Sequence, residues 1–67
     1  MEPYKQRVVD EKAALDDKIE KLLKFLGASA YHDLDPDEQG RLQKQYGLMQ
    51  KYSDVLADRI TAFQEAP

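Results

Sequence analysis

Six residues, Tyr4, Arg7, Glu11, Lys12, Tyr52 and Arg59, supply most of the chemistry that this 67-residue chain can offer. Arg7 and Glu11 stand four residues apart, which makes them neighbours on one helix face, and Arg59 arrives opposite if the chain folds back on itself. A guanidinium grips phosphate in bidentate fashion, tyrosine and phenylalanine rings stack on bases, and a carboxylate accepts from an exocyclic amine or a ribose hydroxyl. Together these groups suit a small phosphorylated nucleotide better than a polymer. The plainer reading is a buried Glu11–Arg59 ion pair among ordinary aromatic packing, fixing the register of two helices.

Other chemistries find little to work with. His32, the single histidine, stands beside Asp33 in a connecting segment with no serine or cysteine nucleophile arranged around it, so no catalytic residue is assigned. Asp33, Asp35 and Asp37 alternate as in a calcium loop but lack its glycine and distal glutamate, and helix capping explains them better. Without cysteine there is neither a disulfide framework nor a thiolate metal site, and no phosphate-cradling glycine loop implies a cofactor. Ten basic and thirteen acidic residues are interleaved, for a net charge of -3, which disfavours extended DNA or RNA as a partner. Met1-Glu2-Pro3-Tyr4 has no signal-peptide pattern, and no apolar run approaches the ~20 residues of a membrane span.

The elements that would position the six residues are two helices. Pro3 suits a first helical position, and Val8, Lys12, Leu15, Ile19, Leu22 and Leu26 recur at spacings of four and three, a heptad seam with one charged member. Asp17 with Lys21 and Glu20 with Lys24 lace its outer face. Gly27 invites a left-handed cap, ending a helix of about 3–26. A connection of about 27–35 follows, with Tyr31 and Leu34 folding back over the closed end. Asp35-Pro36-Asp37-Glu38 then reads as a capping box, Asp35 accepting from the amide three residues on and Glu38 reaching back, which starts a helix of about 36–63. Its seam reads Leu42, Gln45, Met49, Tyr52, Leu56, Arg59 and Phe63, with Gly40 and Gly47 as weak points and Gly47 a place for a close neighbour. Glu65-Ala66-Pro67 reads as a frayed end.

Laid antiparallel, the seams form layers: Leu26 on Leu42, Leu22 on Gln45, Ile19 on Met49, Leu15 on Tyr52, Lys12 on Leu56, Val8 on Arg59 and Ile60, and Tyr4 on Phe63. The fold expected is an all-α, antiparallel two-helix hairpin forming a single domain over 1–67. Val9, Leu23, Phe25, Tyr46, Leu48, Val55 and Ile60 flank the seams, more apolar surface than one hairpin covers, and a chain this short buries too little alone. The hairpin is therefore expected to assemble into a homo-oligomeric helical bundle.

The run Gln6-Arg7-Val8-Val9-Asp10-Glu11-Lys12, followed by Leu15-Asp16-Asp17-Lys18-Ile19-Glu20-Lys21-Leu22, resembles a family of very short proteins of tailed phages and prophages. The likeness continues through Phe25, Leu34, Glu38-Gln39, Leu42, Gln45, Met49, Tyr52-Ser53, Leu56 and Arg59-Ile60, so it spans roughly Tyr4 to Phe63. These proteins are similar to the hairpin of anti-CBASS and anti-Thoeris sponges, which bind cyclic oligonucleotide or cyclic ADP-ribose immune signals without degrading them. The resemblance implies a non-enzymatic sponge in the cytoplasm of an infected bacterium, with a cyclic nucleotide as ligand. It also implies a homo-oligomer, dimer to hexamer, with pockets between protomers, and assigns ligand binding to Tyr4, Arg7, Glu11, Lys12 and Arg59, with Tyr52 a weaker candidate. A small protein-interaction module, blocking or bridging a host or phage protein through the spare apolar flank, is the competing expectation.

Overall fold

The computed structural model describes residues 2–65. The described residues form three helices: α1 over Pro3–Leu26, a single turn α2 over Ser29–His32, and α3 over Pro36–Glu65. The two long helices pack side by side into a rod of 51 × 15 × 14 Å. Pro3 and Pro36 each occupy the first turn of a long helix, where the missing N–H leaves no bond unmade. Residues 66 and 67 of the expected frayed end lie outside the described residues, whereas Glu65 is still helical.

The closed end differs in detail from the sequence expectation. Gly27 is right-handed, with φ of -93°, and α1 ends by tightening: the Gly27 amide donates to Lys24 O at 3.3 Å and the Ala28 amide to Phe25 O at 3.0 Å. Asp35 accepts weakly from the Asp37 amide, two residues on, at 3.3 Å, and Glu38 turns to Arg41 at 2.8 Å instead of completing a capping box. The connection is held by glutamines. Gln39 Nε2 donates to the carbonyls of Tyr31, His32 and Leu34 at 3.1, 3.3 and 2.9 Å, adding to the Leu34 amide that Tyr31 O already accepts. Tyr31, 5% exposed, folds back as expected, packing edge-on to Phe25 and receiving a hydrogen bond from Gln43.

Between the long helices, α1 presents the expected seam, and Val8, Leu15 and Leu56 form the buried centre with Ile19, Met49, Ile60 and Phe63 packed around it. The seam of α3 is corrected at every second position. Tyr46, Ser53 and Ile60 turn inward, and the expected Gln45, Tyr52 and Arg59 lie exposed. Both sets flank the line Leu42-Met49-Leu56-Phe63, three and four residues beyond its members, because 3.6 residues per turn places +3 and +4 neighbours about 100° apart. The layers pairing Leu22 with Gln45, Leu15 with Tyr52 and Val8 with Arg59 are corrected accordingly, while Tyr4 meets Phe63 edge-on, 5.6 Å between centroids.

The Asp17–Lys21 and Glu20–Lys24 pairs are formed, at 2.9 and 3.4 Å. Gly47 admits no close neighbour: a Cβ there, or at Gly40, would meet nothing within 4 Å. Two expectations follow for chemical denaturation followed by helical circular dichroism. Gly40→Ala and Gly47→Ala should each add about 0.5–1 kcal/mol, since both glycines weaken α3 without serving a contact. Leu56→Ala, at a side chain 1% exposed, should cost about 2–5 kcal/mol.

Candidate functional site

The open end of the hairpin gathers aromatic and cationic groups from the first turns of α1 and the last of α3. Tyr4 and Phe63 make the edge-on pair already described, and Lys5 Nζ lies 5.4 Å from the Phe63 centroid and 6.0 Å from that of Tyr4. Glu2, Lys5, Phe63 and Gln64 line a shallow hollow of 560 Å³ there. Lys5 was not singled out by sequence reasoning. Its place one residue after Tyr4, in a chain whose two helix ends converge, is the signal that could have found it.

Of the six residues singled out, the hairpin joins few directly. Arg7, Glu11 and Arg59 are exposed, and no ion pair involves any of them among the described residues, so the buried Glu11–Arg59 pair is corrected. Counting about 100° per residue from the inward seams, Arg7 and Glu11 on α1 fall on the same broad face of the hairpin as Tyr52 and Arg59 on α3. That face carries two guanidinium groups, and although Glu11 shares it, no carboxylate among the described residues lies within ion-pair distance of either. Tyr4 is 46% exposed at its edge, and Tyr52, 45% exposed, stands farther along α3.

Lys12 is engaged elsewhere. Its Nζ donates to Asp16 Oδ2 at 2.6 Å, while Asp16 Oδ1 accepts from Ser53 Oγ across the helix interface at 2.5 Å. Ser53 is buried, and this bridge explains why a serine sits inward where a tyrosine stands next to it. The Lys12 and Ser53 hydrogen bonds hold the Asp16 carboxyl below its ordinary 3.8, outweighing the opposing effect of burial. On the same side, Asp16, Ile19, Gln50, Ser53 and Asp54 bound a polar groove of 380 Å³. Among the described residues no three acidic or histidine side chains are placed to hold a metal ion, Asp33, Asp35 and Asp37 included.

A third depression, of 430 Å³, lies on α3 alone, lined by Arg41, Lys44, Gln45, Leu48, Met49 and Tyr52. Among the described residues Leu23, Leu48 and Val55 are the large aliphatic side chains left more than half exposed, whereas Tyr46 and Ile60, expected on the outer flank, are turned toward α1. Among the described residues no helix is long and apolar enough to cross a membrane.

Fold and site together define a small helical hairpin with a charged, aromatic mouth. Residues 2–62 match the family described as Sequestin, and the chain belongs to that family. No curated protein and no solved structure matches it.

The Asp16 bridge generates a pH expectation. A carboxyl held low in the fold stabilises it fully above its unfolded value, near 3.8, and that contribution drains away as pH falls through the lower, folded value. Ser53→Ala removes one donor, so the Asp16 midpoint in a carboxyl NMR titration should rise toward 3.8. An unmoved midpoint would show that the hydroxyl does not hold the carboxylate.

Proposed function

We propose that this protein is a sponge that sequesters a small cyclic nucleotide immune signal, of the cyclic oligonucleotide or cyclic ADP-ribose type, and returns it intact. The observation that carries the reading is the face holding Arg7 and Arg59, two exposed guanidinium groups that no carboxylate among the described residues pairs with, beside the Tyr4–Phe63 aromatic edge. Free guanidinium groups are the natural receptors for phosphate, and an aromatic edge a few residues away offers a surface for a base. The family name, Sequestin, is in keeping with capture rather than turnover.

On this reading Arg7 and Arg59 neutralise phosphates, Tyr4 packs against a base or ribose, and Glu11 accepts from an amine or hydroxyl. Lys12 is a weaker contributor than its position in the opening run implies, because Asp16 occupies its ammonium group. A single hairpin offers only an open face, so the pocket is completed by further copies of the chain, in a homo-oligomer acting in the cytoplasm of an infected bacterium. Competing with an immune effector requires tight binding, each tenfold gain needing ~1.4 kcal/mol. Side chains ordered by the oligomer before the ligand arrives lower the entropic cost of capture.

Leu23, 52% exposed on α1, favours a second reading, an interaction module docking on another protein. A panel of cyclic di- and trinucleotides and cyclic ADP-ribose isomers separates the two. Sequestration predicts a thermal shift with at least one member and recovery of that ligand unaltered after denaturation. Arg7→Ala should abolish the shift while leaving helicity unchanged, because Arg7 contributes no contact to the hairpin core. Silence across the panel would favour the interaction module, and a chemically altered nucleotide would identify an enzyme.

A further inference from the structure

Besides the seam that meets α1, α3 carries a second heptad stripe, on the broad face it shares with Arg7 and Glu11: Arg41, Gln45, Leu48, Tyr52, Val55 and Arg59, at spacings of four, three, four, three and four. All six are exposed, and Leu48, Tyr52 and Val55 at its middle are apolar or aromatic, at 56%, 45% and 55% exposure. We propose that this stripe is the seam through which two copies of the chain associate, α3 against α3 in antiparallel order about a two-fold axis near residue 50.

The shape of the stripe carries the argument. The depression of 430 Å³ is bounded by two successive sets of four residues, Arg41-Lys44-Gln45-Leu48 and Gln45-Leu48-Met49-Tyr52, each at i, i+3, i+4 and i+7. Such a set is the hole that receives one side chain of a facing helix in knobs-into-holes packing. With the two-fold near residue 50, the first hole lies opposite the partner's Val55 and the second opposite the partner's Tyr52. Each copy thus presents the knobs that the other copy's holes require, the self-complementarity of an isologous interface.

Charge selects the antiparallel order. Lys44, on the flank of the stripe, comes beside the partner's Asp58, and the symmetry makes this contact twice. Lys51 approaches its own copy and Arg41 the partner's Arg59, which oppose the pairing, although Glu38 already neutralises Arg41 at 2.8 Å. A parallel order would set Arg41 and Arg59 against their own copies and Lys44, Lys51 and Asp58 against the apolar positions 49, 56 and 63, with no opposite pair.

The proposal refines the oligomer invoked above, yet it is read without ligand, so the two can fail separately.

Analytical ultracentrifugation of the purified chain should give an even multiple of 7.7 kDa. Leu48→Glu with Val55→Glu should halve that mass while helicity is retained, and Leu23→Glu, off the stripe, should leave it unchanged. A wild-type monomer, or a mass indifferent to the Leu48 and Val55 changes, would overturn the interface. Because the chain has no cysteine, orientation is open to site-specific cross-linking. Lys51→Cys lies about 3 Å from its copy along the axis and should be joined by a short bismaleimide, whereas Arg41→Cys copies lie about 27 Å apart and should not. Efficient joining through Arg41→Cys would overturn the antiparallel order.

Discussion

The molecule depends above all on one interface between two helices, since among the described residues only Tyr31, at the closed end, is buried elsewhere. Leu56 is nearly inaccessible at its centre, Val8 and Leu15 enclose it from α1, and the Ser53–Asp16 hydrogen bond crosses the same interface. A chain with so short a list of buried side chains has little hydrophobic stabilisation in reserve. Its register is therefore set by the few contacts that tolerate no slippage: a hydroxyl that must find a carboxylate, and an aromatic pair at the mouth.

That economy shapes the site. The helix ends place Tyr4, Lys5 and Phe63 together, while the broad face beside them carries Arg7 and Arg59 in solvent, paired with no carboxylate among the described residues. Such a face fits an anionic guest, and its openness on a lone hairpin is what makes further copies part of the proposal. The Lys12–Asp16–Ser53 bridge has the opposite character. It spends a cation that looked available for a ligand on holding the two helices in register, and it places a polar groove on the other side of the rod.

Membership of the Sequestin family and the exposed stripe of α3 bear on different levels of organisation. The family supports capture as the mode of action. The stripe concerns how copies meet, and rests on heptad spacing, on holes matched by knobs of the same chain, and on flanking charges that favour one orientation.

The sequence by itself determined the two long helices, their antiparallel order and most of their limits, since Pro3 and Pro36 start helices and Gly27 marks where the first one stops. It also determined the inward face of α1, where a single line of aliphatic residues leaves no choice. Only the tertiary structure decided which side of α3 turns inward. Positions 45, 52 and 59 and positions 46, 53 and 60 flank the same apolar line, and periodicity ranks them equally. Hydrophobicity alone would bury Tyr52 before Ser53. Asp16 reverses that order, because a carboxylate on the facing helix gives the hydroxyl a partner and leaves the ring to solvent, or to another copy. The capping glutamines were illegible for the same reason: Gln39 and Gln43 act on carbonyl and phenol groups that come within reach only once the connection has folded back.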